Sequence, residues 1–182
     1  PGDICERVRA HSQEQLITVP IDKCRAGYEQ DWTIPEVNSR LCTLAECTSC
    51  ALMLYMFDCN GWTVLRFKRP GPEPLFDLDH LEGITTPDGH LMPGARAASR
   101  SVDWGIKILR AGHSAGKPSL GESPVGRGRD SPFAFKAPGY ELHASAWSYP
   151  PLAAELKLAG AVAVYADQGA AGAASPKTTQ FM

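Results

Sequence analysis

The chain has 182 residues, a formal charge of −2, 17 glycines and 15 prolines, enough for one domain that buries roughly two thirds of its unfolded surface without metals or disulfides. Near-neutral charge and a pI near 6.2 exclude the global basic field that drives phosphate-backbone binding, so weak or no direct nucleic-acid binding is expected. The longest apolar run, residues 51–57 (ALMLYMF), is well short of the roughly 18 residues of a membrane span, and no membrane partner is expected.

The density of turn-formers favours many short strands and loops over a helix bundle, so the expected class is all-β. The chain opens Pro1-Gly2-Asp3, without an initiator Met or a signal pattern, which reads as a processed product, a fragment or part of something longer. Residues 15–22 (QLITVPID) are β-branched and partly alternating, a first strand. Asn38 and Ser39 offer caps to one short helix from Arg40 onward, lined by Leu41, Leu44 and the run 51–57, although that run could equally be a buried strand. After the Asn60-Gly61 turn, residues 62–68 alternate as a strand with Thr63, Leu65 and Phe67 on one face, ended by the prolines at 70, 72 and 74. Residues 75–100 read as loop with at best a short strand near 75–81. Residues 101–110 read as a strand because Trp104, Ile106 and Ile108 alternate, and 111–131 as a long Gly/Ser/Pro loop. Further short extended segments are expected at 132–136, 140–147, 152–158 and 160–166, with two helical turns from Pro151 as an alternative for the third. Residues 169–182 read as a small, polar tail extended over the surface.

The six cysteines, Cys5, Cys24, Cys42, Cys47, Cys50 and Cys59, could pair as disulfides in an oxidising compartment, with nothing to choose among the connectivities. Cys47-Thr48-Ser49-Cys50 is C-x-x-C, but zinc would want a second close pair, and His11, His80, His90, His113 and His143 stand singly. Thioredoxin-like chemistry would need the pair at a strand-to-helix junction of a βαβ unit, and none precedes it. The cysteines therefore read as reduced, mostly buried small apolar residues. No metal or cofactor is expected.

Gly112-His113-Ser114-Ala115-Gly116 spells G-x-S-x-G. A nucleophile elbow needs a strand before it and a helix after it, and the prolines and glycines following Lys117 cannot start that helix. Asp130 and His143 follow Ser114 in hydrolase order but without an alternating β/α pattern around them. The same residues nearly spell a phosphate loop, one residue short and with Pro118 where a magnesium-binding hydroxyl belongs. No enzymatic activity is expected.

Gly139-Tyr140-Glu141-Leu142-His143-Ala144-Ser145-Ala146-Trp147 resembles the Gly-aromatic-Glu, then Ser-x-Trp, segment late in the small coat protein of comoviruses, in the plant picorna-like virus family that also contains the fabaviruses. The matching positions are Gly139, Tyr140, Glu141, Ser145 and Trp147. Residues 52–68 and 161–176 are similar to that family's apolar stretch, turn and strand, and to its last strand and proline-ended tail; residues 75–131 have no counterpart. The resemblance implies a jelly-roll β-sandwich of viral coat type with long loops, a single domain over 1–182 with 169–182 as its tail. It implies a capsid subunit of a non-enveloped icosahedral virus, released from a polyprotein and assembling in the virion with a large coat protein and copies of itself. On that reading the five matched residues are interface candidates, since large amphipathic rings serve as interface anchors as readily as core aromatics. A secreted, disulfide-stabilised binding module or effector is the alternative, and a serine hydrolase using Ser114 a second one.

Overall fold

The computed structural model describes residues 31–57, 60–68, 70–136, 138–167 and 178–182. Among them are three α-helices, α1 (Pro35–Glu46), α2 (Ala95–Ser114) and α3 (Pro150–Leu158), and one sheet of β1 (Met53–Met56), β2 (Ser119–Pro124), β3 (Val164–Asp167) and β4 (Thr178–Phe181). Strand order is β1-β2-β4-β3. β1 and β2 pair in parallel, Met53 opposite Ser119, while β4 runs antiparallel to both β2 and β3. Parallel neighbours need a long crossover, and the crossover here contains α2. This single mixed sheet with helices overturns the expected all-β jelly-roll sandwich.

The main correction lies at residues 101–110, which are helix, not strand. α2 buries Ala95, Ser101, Val102, Gly105, Ile106, Ile108, Leu109 and Gly112, two adjoining stripes at spacings of three and four that only a 3.6-residue period produces. The alternation of Trp104, Ile106 and Ile108 covers too few residues to compete. Residues 62–68 are not a strand either: a 3₁₀ turn spans Val64–Phe67, capped by the Thr63 hydroxyl accepting from Leu65 N–H, and Arg66 Nε and Nη1 donate to the carbonyls of Asn60 and Glu73. Local side-chain-to-backbone bonds of this kind compete with a ladder and win where no partner strand lies alongside.

The run 51–57 takes its strand alternative, as β1, while α1 begins earlier than expected, with Pro35 in the first turn where its missing N–H costs nothing. Asn38, expected as a cap, is 2% exposed inside α1, and its Nδ2 donates to the Trp104 carbonyl at 3.0 Å, fastening α1 to α2. The stretch 75–81 forms only an isolated bridge, Asp77 with His80. The loop expected at 111–131 instead holds the end of α2 and all of β2. Segments 132–136 and 140–147 form no strand. Residues 152–158 take the helical alternative, and β3 overlaps the segment expected at 160–166. The expected strand 15–22, Cys5, Cys24, Cys59 and residues 168–177 lie outside the described residues. The end of the tail is not draped over the surface: β4 is an inner strand, with Thr179 wholly buried.

The core gathers Phe57, Trp62, Phe76, Val102, Ile106, Leu109, Trp147, Tyr149 and Leu152. Trp62 stacks on Phe76 with centroids 3.8 Å apart and planes 9° from parallel. Trp147 meets Phe57 edge-on at 5.2 Å, and such aromatic pairs add about 0.5–1.5 kcal/mol beyond their buried area. α3 is tied to α2 by Arg110, whose Nε and Nη2 both donate to Glu155 Oε2 at 2.9 and 2.7 Å.

Candidate functional site

With its apolar stripes turned inward, α2 presents Arg96, Arg100, Asp103 and Lys107 on the opposite side, at spacings of four, three and four. Trp104 lies between them, and the Lys107 ammonium sits 3.7 Å from the centre of its ring, a cation–π contact. Together with Tyr149, just before α3, Pro151, Glu82 and Leu91, these side chains line an open groove of about 570 Å³. Three cations and two carboxylates thus line the groove.

One of those carboxylates is already engaged, since the Tyr149 hydroxyl donates to Asp103 Oδ1 at 3.0 Å. Burial, and then the bond to Asp103, push the Tyr149 phenol up to about 12, so it stays protonated and acts as a fixed donor. Arg96 and Arg100 have no hydrogen-bond or ion-pair partner among the described residues. An exposed guanidinium presents a rigid fork of donors suited to carboxylate or phosphate. Next to two aromatic rings, the chemistry on offer is recognition of an anion joined to a planar group.

The Gly112–Gly116 motif has a structural explanation. Lys117 N–H donates to the Gly112 carbonyl and Gly116 N–H to the His113 carbonyl, both at 2.9 Å, and Gly116 has φ of +70°. This pair of bonds, with a left-handed glycine just past the cap Ala115, is the Schellman stop of a helix. Ser114 is therefore the exposed last residue of α2, with no elbow around it. No hydrogen bond joins Ser114, Asp130 and His143 among the described residues.

His143 is 2% exposed. Its Nδ1 accepts from Arg127 N–H at 2.8 Å, and its Nε2 reaches the Trp62 carbonyl at 3.1 Å. An N–H donor on one side and a carbonyl on the other fix the neutral tautomer with the proton on Nε2. Burial pulls its pKa down to about 4. It borders a smaller cavity of about 180 Å³, shared with Ser131, Phe133, Ser145, Trp147 and Tyr165, as a pin rather than a base.

The residues singled out by the coat-protein resemblance scatter by exposure. Gly139, with φ of +91°, and Glu141 are exposed and linked, the carboxylate accepting from Gly139 N–H at 2.8 Å. Tyr140 is half-buried and meets Phe135 edge-on at 5.3 Å. Ser145 and Trp147 are buried in this chain's own interior, Trp147 donating from Nε1 to the Ser123 carbonyl at 3.4 Å. Sequence reasoning missed Arg96, Arg100, Trp104, Lys107 and Tyr149 as a group. The signal is the i, i+4 spacing of the cations, which a loop over 75–100 followed by a strand over 101–110 hides.

Of the cysteines that are described, Cys42 and Cys50 are half-buried and Cys47 is exposed, all as free thiols, so the mostly buried environment expected for them is not found here. The described residues contain no group of three or more His, Cys, Asp or Glu side chains able to hold a metal ion, and no helix among them is long and apolar enough to cross a membrane. Comparison with known proteins finds no matching family model, no matching characterised protein and no matching solved structure.

Proposed function

We propose that the chain is a binding module, without catalysis of its own, that holds an anionic ligand carrying a planar group in the groove along α2. The observation carrying this reading is that Arg96 and Arg100, unpaired among the described residues, flank the same groove as Trp104 and Tyr149. The guanidinium groups supply the charge-assisted bonds and the rings supply stacking area at small entropic cost. Phenyl phosphate is the probe, with phenol and inorganic phosphate as its separated halves. Titration of phenyl phosphate should move the Trp104 indole N–H resonance saturably, with either half alone much weaker. An unmoved Trp104 signal, or equal response to phosphate alone, would remove the groove as the site.

A second reading, an assembly subunit such as a virion shell contains, is favoured by one separate observation. Leu54, Met56, Leu120 and Val164 are exposed apolar side chains on the sheet, and Leu54 pairs with Leu120 across β1 and β2. An apolar sheet face with an edge strand beside it is a surface for protein contact. The jelly roll that tied this expectation to coat proteins is absent, so it stands on that face alone. Sedimentation velocity over a hundredfold range of concentration tests it: a concentration-dependent shift supports self-association, and an invariant monomer alone or mixed with a coat protein removes it.

A further inference from the structure

The C-x-x-C segment lies at the end of α1, away from the groove, and its geometry is independent of the binding reading. α1 stops at Glu46, the chain turns, and Cys50 N–H donates to the Cys47 carbonyl at 2.9 Å. A four-residue turn closed by that bond brings its first and last Cα atoms within about 7 Å. A disulfide spans Cα separations of about 4.4–6.8 Å, so the turn brings the two backbones into the range one bridge needs. Lys117, just after the stop of α2, donates from Nζ to the Thr48 carbonyl at 3.2 Å, which anchors the turn and sets a positive charge beside it. Cys47 is exposed and Cys50 partly covered.

We propose that Cys47-Thr48-Ser49-Cys50 is a thiol–disulfide exchange site for small disulfides of the glutathione type, with Cys47 attacking and Cys50 resolving. The Cys47 thiolate attacks one sulfur of the small disulfide, whose S–S bond breaks, and the departing thiolate takes a proton from solvent. Cys50 then loses its proton and attacks the Cys47 sulfur of the mixed disulfide, expelling the second small thiol. Two protein thiols are oxidised to one disulfide, and one small disulfide is reduced to two thiols. The same route runs backwards when small thiols are in excess.

The surroundings sort the described thiols in the order this scheme needs. Bonds from the Ser49 backbone N–H and hydroxyl, followed by the Lys117 charge, lower the Cys47 pKa. Burial, then the Glu46 carboxylate, raise that of Cys42, whose sulfhydryl points at Asn38 Oδ1 3.6 Å away. A helix C-terminus is a poor place for a thiolate because its dipole is negative there. Cys47 relies on the turn and Lys117 instead.

The test uses the full chain in buffers of graded oxidised and reduced glutathione, quenched by alkylation and mapped by peptide mass spectrometry. The expected product is an intramolecular Cys47–Cys50 bridge in the wild type. C50S should trap glutathione on Cys47, and C47S should abolish exchange while C42S leaves it unchanged. Alkylation of the reduced protein should be at least about tenfold faster at Cys47 than at Cys42. Equal rates at the two, a bridge from Cys47 to any cysteine other than Cys50, or no mixed disulfide in C50S would each overturn the assignment. The wild-type mapping needs no variant, so a folding defect in one cannot mask the result.

Discussion

The Tyr55 ring fills the notch that Gly105 leaves on α2, so that β1 lies against the helix at a distance no side chain at 105 would allow. Seven residues on, Gly112 makes the same kind of notch for the end of Met53. Both β1 side chains that face α2 are thus received by glycines two helical turns apart.

The two notches should respond differently to a methyl group. In Gly105→Ala the new carbon meets a rigid phenol ring that itself packs edge-on against Phe57, 4.6 Å between centroids. Overpacking of about 1–3 kcal/mol should outweigh the helix-propensity gain of roughly 1 kcal/mol, leaving the variant less stable. In Gly112→Ala the obstacle is the flexible tip of Met53, which can swing away, so the change should be within about 0.5 kcal/mol. Urea unfolding of both variants checks the contrast; equal losses would contradict it.

Those glycines also explain what was legible in the sequence. Periodicity found the apolar content of 101–110 but assigned the wrong period, because Gly105 and Gly112 are buried without being apolar and drop out of a hydrophobic pattern. With glycines and Ser101 counted as buried, the helical stripe is complete. The strand option for 51–57 and the helix option for 152–158 were visible, and only packing could choose between alternatives. β4 was missed because its Thr178-Thr179 pair follows a stretch of small residues, and strands of four residues carry little signal. The groove went unread for the same reason as α2 itself.

Gly116→Ala tests the Schellman stop. With φ of +70° at that position, a β-carbon should cost about 1–2 kcal/mol, while Ser114→Ala, at an exposed helix end, should change stability by less than about 0.5 kcal/mol. A larger effect of the serine than of the glycine would restore the motif as a functional one.

His143 gives a pH signature. Its pKa falls from about 6.5 unfolded to about 4 folded, so between those values the unfolded chain binds the extra proton. Its contribution is complete above pH 6.5 and is lost as pH falls towards 4, on the order of 3 kcal/mol in all. The imidazole signals of the folded protein should titrate near pH 4 with the proton on Nε2. Titration near 6.5 would show that the ring is neither buried nor held as described.

Trp147→Ala should destabilise the fold by about 3–5 kcal/mol, the usual cost of emptying a large aromatic site, because the ring sits among Phe57, Gly121 and the Ser123 carbonyl. Thermal unfolding measures it. A Tm unchanged from wild type would place the ring at the surface, where an interface anchor belongs.

The groove is tested most directly by calorimetric affinity for phenyl phosphate, wild type against R96Q/R100Q. Both arginines are exposed and have no hydrogen-bond or ion-pair partner among the described residues, so the double variant should keep its fold. Loss of two charge-assisted contacts should weaken binding by at least about tenfold, at roughly 1.4 kcal/mol per decade. Equal affinity of the two proteins, or no binding by the wild type, would contradict the account.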